Sequence, residues 1–269
     1  MRITSWNINS VRLRIDQVIR FTKEQKPDVL CLQEIKCNND QFPEKAFRQA
    51  GYEHLAVAGQ KAYHGVAIAS RLPLDKIEKR DWCAMGDARH IAARVDGKIE
   101  LHNFYVPAGG DEADPKINPK FDHKLKFLKE MEEWSAGLKG GKKNARMLVG
   151  DLNIAPDEHD VWSHKQLLKV VSHTPIEVDR LSAIIKAGGW EDIARTLVPS
   201  PEKLYSWWSY RSKDWRASNR GRRLDHIWVN AALSEAASAK GRKGFTIHDE
   251  ARDWVKPSDH APISIDLDI

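Results

Sequence analysis

Four short apolar runs in this 269-residue sequence end in side-chain oxygens. The run 3–8 carries Asn7. Val29-Leu30-Cys31-Leu32 leads into Gln33-Glu34, and Met147-Leu148-Val149 leads into Gly150-Asp151-Leu152-Asn153. Lys256-Pro257-Ser258-Asp259-His260 precedes the last alternating segment. Buried strands that stop at acidic residues place charge at one rim of a sheet, where ligand crevices lie. Hard oxygen donors without a Cys/His cluster suit Mg²⁺ or Mn²⁺ rather than zinc. Each end taken alone also has a plainer reading. Gly150-Asp151 suits a turn, Glu34 the surface end of a strand, and Ser258-Asp259 a turn cap. Four such ends in one chain favour a shared site.

Spacing refines the set. In an extended chain residues i and i+2 share a face, so Asp151 and Asn153 can point into one site. Asp225 and His226 are adjacent and should point to opposite faces. His260 is therefore the better partner for Asp225. A carboxylate on one ring nitrogen fixes the imidazole tautomer and stabilises its positive form, which suits contact with an anionic phosphate. No P-loop, GxGxxG or HExxH is present, so Walker-type hydrolysis, nicotinamide binding and zincin chemistry have no support, and no nucleotide cofactor is expected. Cys31, inside an apolar run, reads as core.

The elements that must position these groups are short. β-type runs recur at 2–8, 29–32, 65–69, 99–106, 147–152, 226–229 and 263–267. Helical stripes lie between them: Val11, Ile15, Val18 and Ile19 with Ser10 placed as N-cap; Phe121, Leu125, Leu128 and Met131; and Leu181, Ile184 and Ile185, stopped by Gly188-Gly189. Mixed strands and helices without strict alternation indicate an α/β or α+β domain with sheets covered by helices. Long polar connections fall at 107–120, 155–175 and 209–223, lengths typical of functional loops. The stretch 205–223 interleaves Tyr205, Trp207, Trp208, Tyr210 and Trp215 with Arg211, Lys213, Arg216, Arg220, Arg222 and Arg223. Aromatics stack on bases and cations hold phosphates, so this reads as a nucleic-acid surface. The same aromatics can also serve as core anchors covered by arginine stems.

Composition agrees. Hydrophobic residues make up 41% and charged residues 30%, a globular balance. A chain of this length buries on the order of 75% of its unfolded surface and needs no staple. Three cysteines without CxxC spacing argue against a disulfide framework and suit a reducing compartment. No apolar run reaches membrane-spanning length, and MRITSWNINS is too polar for a signal peptide. Net charge is +5, but residues 203–256 hold 12 Lys+Arg against 6 Asp+Glu, so the remainder is near neutral. A basic tract of this kind attracts polyanions.

SWNINSVR, CLQEIK, NFYVP, GDLNIAP, RRLDHIWV and KPSDHAP, in this order from residue 5 to residue 262, resemble the exonuclease III family of apurinic/apyrimidinic (AP) endonucleases. That group belongs to the wider endonuclease/exonuclease/phosphatase superfamily. The resemblance implies a DNase I-like α/β fold: a four-layer sandwich of two packed β-sheets flanked by helices, in a single domain over 1–269. It implies Glu34 as main Mg²⁺ ligand, Mn²⁺ being an alternative, with Asn7 and Asp259 as direct or water-mediated ligands. It assigns Asp151, helped by Asn153, to the attacking water. His260, oriented by Asp225, and Tyr105 would face the phosphate or leaving group. Lys36, Trp207, Arg211, Arg220 and Arg222 would meet DNA. The implied activity is Mg²⁺-dependent cleavage 5′ to abasic sites, or trimming of blocked 3′ ends, in duplex DNA; low cysteine use and the lack of a targeting segment lead to the expectation of a cytoplasmic protein, and a monomer is expected. Three departures bear on the balance among AP-endonuclease, 3′-exonuclease and 3′-phosphatase activity. Arg222 stands where some relatives carry an apolar or aromatic wall, Ala108 replaces a polar amide, and Asn9 stands where some members have Asp. His173 is placed on the DNA side. Two competing readings keep the fold: hydrolysis of inositol phosphates, sphingolipids or RNA tails, and nucleic-acid binding without turnover. The basic tract argues against the first. Clustered carboxylates, which repel DNA unless a cation is present, argue against the second.

Overall fold

Period-two alternation of large apolar residues dictates how the sheets pack. The computed structural model describes residues 1–138, 144–212 and 214–269, so Lys213 lies outside the described residues. One six-stranded sheet holds β1 (Arg2–Asn7), β2 (Val29–Gln33), β3 (His54–Ala58), β4 (Val66–Ser70), β13 (Phe245–Ile247) and β14 (Ile263–Asp266), in the order β13-β14-β1-β2-β4-β3. The other holds β5 (Leu74–Glu78), β6 (His90–Val95), β7 (Ile99–Tyr105), β8 (Ala145–Asp151), β9 (Trp190–Asp192) and β12 (Asp225–Asn230), in the order β5-β6-β7-β8-β12-β9. A two-stranded ribbon, β10 (Trp207–Trp208) with β11 (Gly221–Arg222), stands apart. The helices are α1 (Ile15–Gln25), α2 (Glu44–Gln49), α3 (Pro119–Leu138), α4 (His164–Leu167), α5 (Pro175–Gly188), α6 (Ile193–Leu197), α7 (Trp215–Ser218) and α8 (Ala231–Ser238).

Odd and even strand positions face different layers. Ile3 and Cys31 pack inward with Leu101, Met147, Val149 and Ile227 from the facing sheet. Trp6, Leu30 and Leu32 face outward onto Val18, Phe21 and Phe47 of α1 and α2. Phe104, Leu148 and Trp228 face the other way onto Phe127, Leu128, Met131, Leu181 and Ile184 of α3 and α5. Helix, sheet, sheet and helix are therefore stacked as a four-layer sandwich. Each fully buried Leu, Ile or Val in these layers contributes about 1.5–3 kcal/mol of transfer free energy. A one-residue slip in any of these strands would turn its buried set to the wrong layer.

The apolar stripes of α3 and α5 are where the sequence places them. Helix α5 starts with a capping box between Thr174 and Glu177 and stops at Gly189, whose φ of 65° suits a residue without Cβ. The start of α1 differs from expectation. Ser10 does not cap it; the helix begins at Ile15 with Arg14 at the N-cap and no side-chain cap bond. The Ser10 and Val11 amides instead donate to the Glu34 and Ile35 carbonyls, at 2.7 and 3.2 Å. Residues 8–11 thus extend the contact between the ends of β1 and β2. Among the described residues no helix is long and apolar enough to cross a membrane.

Candidate active site

Strand register assembles the site. Asn7 pairs with Gln33 across the parallel β1–β2 ladder, which puts Glu34 one residue beyond it. In the other sheet Tyr105 pairs with Asp151 and Asp151 with Asp225, so three strand ends carry polar groups side by side. The two rims meet: the Asn7 amide nitrogen donates to Glu34 Oε1 at 2.9 Å and to Asp151 Oδ2 at 2.8 Å. Tyr105 OH donates to Glu34 Oε1 at 2.8 Å, and Lys36 Nζ lies 2.8 Å from Glu34 Oε2. The Asn153 backbone N–H donates to Asp151 Oδ1 at 2.9 Å, and its side-chain amide to Asp151 Oδ2 at 3.2 Å.

His260 completes the row. Its Nδ1 lies 2.8 Å from Asp225 Oδ2, and its Nε2 lies 3.7 Å from Asp151 Oδ2. Ser206, which the sequence reading missed, donates its hydroxyl to the same Asp225 oxygen at 2.6 Å. Nothing in its sequence context marks it out. His226 points away as its adjacency to Asp225 requires; it is fully buried on Arg223 and the Ile154 carbonyl. Asp259 accepts from Asn9 at 3.1 Å and from the Trp207 indole N–H at 3.0 Å. The Asn9 and Lys36 side chains link it to Glu34.

The backbone is strained where these groups converge. Glu34, Lys36, Asn9 and Asn153 all have left-handed φ, between 45° and 53°. Gly150 has a φ of 139°, and a Cβ there would sit 2.0 Å from the Phe104 carbonyl oxygen. Close approach of β8 to β7 therefore requires glycine just before Asp151.

Charge is unevenly compensated. Burial disfavours an ionised Glu34, but Lys36 and the Asn7 amide outweigh it and hold the carboxyl below its ordinary value. Burial pushes Asp151 up to about 7, with Asp225 adding to the effect and His260 opposing it. His260 is buried too, yet Asp225 and Asp151 overcome this and push it up to about 10. It is thus an imidazolium at neutral pH. Tyr105 is raised by burial and by Glu34, so it stays a neutral phenol donor.

Two oxygen sets could interest a metal. Asp151, Asp225 and His260 bring ligand-capable atoms within 4.8 Å of one another. In this set Asp225 and Asp151 favour the protonated imidazole of His260, a form that has no lone pair to give. Glu34 and Asp151, converging on Asn7 from two sheets, offer anionic oxygens with a carboxamide between them. That donor chemistry fits a hard divalent cation.

The cleft above this floor has a volume of about 950 Å³. Trp207, Arg211, Arg220 and Arg222 line it. Lys36 is half-buried on Glu34. Of the aromatic loop, Tyr205 and Trp208 are core anchors, whereas Tyr210 is exposed. Its arginines divide in the same way. Arg223 is fully buried on Asp160 and Asp192, and Arg216 is tied to Asp253. His173 is not on an open surface: it is 2% exposed and hydrogen-bonded to His164 and the Ala155 carbonyl. Lys124 also escaped the sequence reading. It is buried beneath the Asn153 loop, and its signal was a lysine at i+3 from Phe121 on an apolar helix face.

The sequence matches the Endonuclease/Exonuclease/phosphatase family over residues 4–260. It is 32% identical to an exodeoxyribonuclease III of Haemophilus influenzae, covering 98% of each chain. The structure is similar to an AP endonuclease from Archaeoglobus fulgidus, with a TM-score of 0.91, 31% identity and full coverage of both chains. It is also similar to a Neisseria 3′ phosphatase bound to a product DNA hairpin, with a TM-score of 0.89, 30% identity and full coverage of both chains. The order of strands, the acid-ended rims and these matches agree, and the chain belongs to the endonuclease/exonuclease/phosphatase family.

Proposed function

We propose that the chain is a divalent-metal-dependent DNA-repair phosphodiesterase that hydrolyses duplex DNA 5′ to abasic sites or frees blocked 3′ ends. The observation that carries this is the buried row Asp151, His260, Asp225 beside Glu34 and Asn7, at the floor of a cleft lined by tryptophan and arginine. A related nuclease, AP endonuclease and 3′ phosphatase share its sequence or fold. Glu34, with Asn7 and Asp259 as direct or water-mediated ligands, would hold Mg²⁺ or Mn²⁺, which supplies positive charge to a phosphodiester that otherwise repels hydroxide.

The chain's own groups do the rest. Asp151, buried and raised toward neutrality, takes the proton of a water held against it by Asn153, a general-base contribution on the order of 10²–10⁴ in rate. The His260 imidazolium, held through Nδ1 by Asp225, presents Nε2–H to a phosphate oxygen where negative charge grows. Tyr105 keeps its proton and orients Glu34. Trp207 and the cleft arginines supply stacking area and phosphate contacts to DNA. We read residues 1–269 as one catalytic unit acting as a monomer. The test is Mg²⁺-dependent cleavage of an abasic-site duplex by wild type, Asp151→Asn and His260→Asn. Loss of about 10² or more in each variant is expected; equal activity in all three sinks the assignment.

A further inference from the structure

The turn that carries Asp259 and His260 is fastened by side chains from two distant parts of the chain. Arg14, at the start of α1, is 7% exposed. Its Nε donates to the Lys256 carbonyl at 3.0 Å, and its Nη1 donates to the Ile8 carbonyl at 3.3 Å and to the Asn9 carbonyl. Its Nη2 donates to the Tyr210 hydroxyl at 3.1 Å, and that hydroxyl donates to the Pro257 carbonyl at 2.8 Å. Every one of these acceptors is neutral, so the guanidinium serves as a fork of donors rather than as half of an ion pair. Two of the gripped carbonyls belong to Asn9 and Lys256, whose φ angles of 45° and 54° lie in the left-handed region. Such backbone persists only where its surroundings over-determine it, and Arg14 supplies part of that hold.

These contacts join three elements that the sequence keeps far apart. Ile8 and Asn9 follow Asn7 at the end of β1, and Lys256 and Pro257 lead into Asp259. Arg14 therefore spans the stretches that bear Asn7 and Asp259, two of the groups assigned above to the cation. Asn9 strengthens the same span, its side-chain amide donating to Asp259 Oδ1 at 3.1 Å. The third element is the aromatic segment. Tyr210 is 51% exposed and precedes Arg211, which lines the cleft. One hydroxyl thus ties the segment that would meet DNA to both Arg14 and the turn before Asp259.

Resting on the nuclease reading above, we propose that Arg14 and the Tyr210 hydroxyl are positioning residues that couple DNA contact at the aromatic segment to cation affinity at Asn7 and Asp259. Without DNA the half-exposed Tyr210 leaves its place at little cost, and the turn relaxes. DNA packed over the segment keeps the hydroxyl between Arg14 and Pro257, which holds Asp259 at the spacing from Asn7 that a hard cation needs. A cation can reward only the state it binds better, and the coupling is reciprocal: the cation raises DNA affinity by the same factor.

The experiment measures Mn²⁺ binding by calorimetry, with and without a saturating duplex, for wild type, Tyr210→Phe and Arg14→Lys. The duplex holds a tetrahydrofuran abasic site and is closed by hairpins at both ends. A methylene replaces its scissile bridging oxygen, so it stays uncut. The readout is the ratio of the two Mn²⁺ dissociation constants, expected to be at least about fivefold in wild type. Phenylalanine keeps the ring and removes both hydroxyl bonds, whereas lysine keeps the charge and removes the fork. The ratio should fall at least about threefold in each variant. Some coupling remains because the Trp207 indole still reaches Asp259 at 3.0 Å. Duplex affinity read by fluorescence anisotropy in EDTA and in Mn²⁺ should give the same ratios. A dissociation constant does not depend on the active fraction of a preparation, so partial misfolding cannot mimic the effect. A wild-type ratio near one, or an unchanged ratio in either variant, overturns the inference. A wild type that leaves an ordinary abasic-site duplex uncut with Mg²⁺ present overturns the nuclease reading itself.

Discussion

Replacing Lys124 by methionine tests the link between the helical layer and the site. Lys124 has no exposed surface. Its ammonium contacts Glu177 at 2.5 Å and donates to the Asn153 carbonyl at 2.8 Å and the Ala108 carbonyl at 3.2 Å. Burial lowers its pKa, and Glu177 only partly offsets this. Methionine keeps most of the volume but leaves Glu177 buried without a cation and two carbonyls without a donor. Breaking a buried pair from one side costs roughly 3–5 kcal/mol. At about 2–4 °C per kcal/mol for a chain of this size, Tm should fall roughly 6–20 °C. The assay is thermal or urea unfolding of wild type, Lys124→Met, Glu177→Gln and the double variant. Glutamine retains an acceptor for the Ser172 and Thr174 amides that Glu177 now serves. The double variant should therefore be more stable than the two single losses summed. A Lys124→Met protein melting within about 2 °C of wild type would refute the reasoning, because an orphaned buried carboxylate cannot be that cheap.

Three other outcomes follow from the same geometry. Gly150→Ala should cost more than the about 1–3 kcal/mol of ordinary overpacking, since its Cβ would meet backbone at 2.0 Å; native-like urea midpoints would contradict this. Glu34→Gln should weaken Mn²⁺ binding measured by calorimetry or by water-proton relaxation, while far-UV circular dichroism stays as in wild type; unchanged affinity would move the cation elsewhere. In EDTA, His260 should stabilise the fold most at low pH. Its folded pKa is pushed up to about 10, above an unfolded value near ~6.5. That contribution is complete below pH ~6.5 and disappears as pH rises through 10, so the stability gap between wild type and His260→Gln should narrow over this interval. A gap that widens with pH would reverse the sign.

What could be read from the sequence follows physical range. The acid-ended strands were legible because an apolar run that stops at a carboxylate is a local pattern. The separation of Asp225 from His226 was legible because pleating alternates every residue. β5, with exposed residues at four of its five positions, offers no alternation to read. The convergence of Asn7, Glu34 and Asp151 depends on two sheets meeting, which no local spacing encodes; the resemblance of six ordered motifs supplied it. Lys124 with Glu177 and Ser206 with Asp225 are contacts across 53 and 19 positions that periodicity cannot pair. Ser10 has the composition of a cap, but its backbone N–H is claimed by Glu34, and tertiary contact overrides the local signal. The different fates of Arg222 and Arg223 likewise rest on which faces the cleft and which faces Asp160.

The first strand is hydrogen-bonded between the second and the last: β1 lies in register with β2 on one side and β14 on the other, and Arg2 is clasped to Asp266. During synthesis, β1 leaves the ribosome more than 250 residues ahead of its second neighbour. Until then it presents an open edge that invites mispairing. His260 also arrives with that final segment, so a growing chain holds Asn7, Glu34 and Asp151 long before it holds the imidazolium. On the roles proposed for these residues, polypeptides truncated before residue 260 are expected to lack cleavage activity, which is expected only once the last strand has paired with β1.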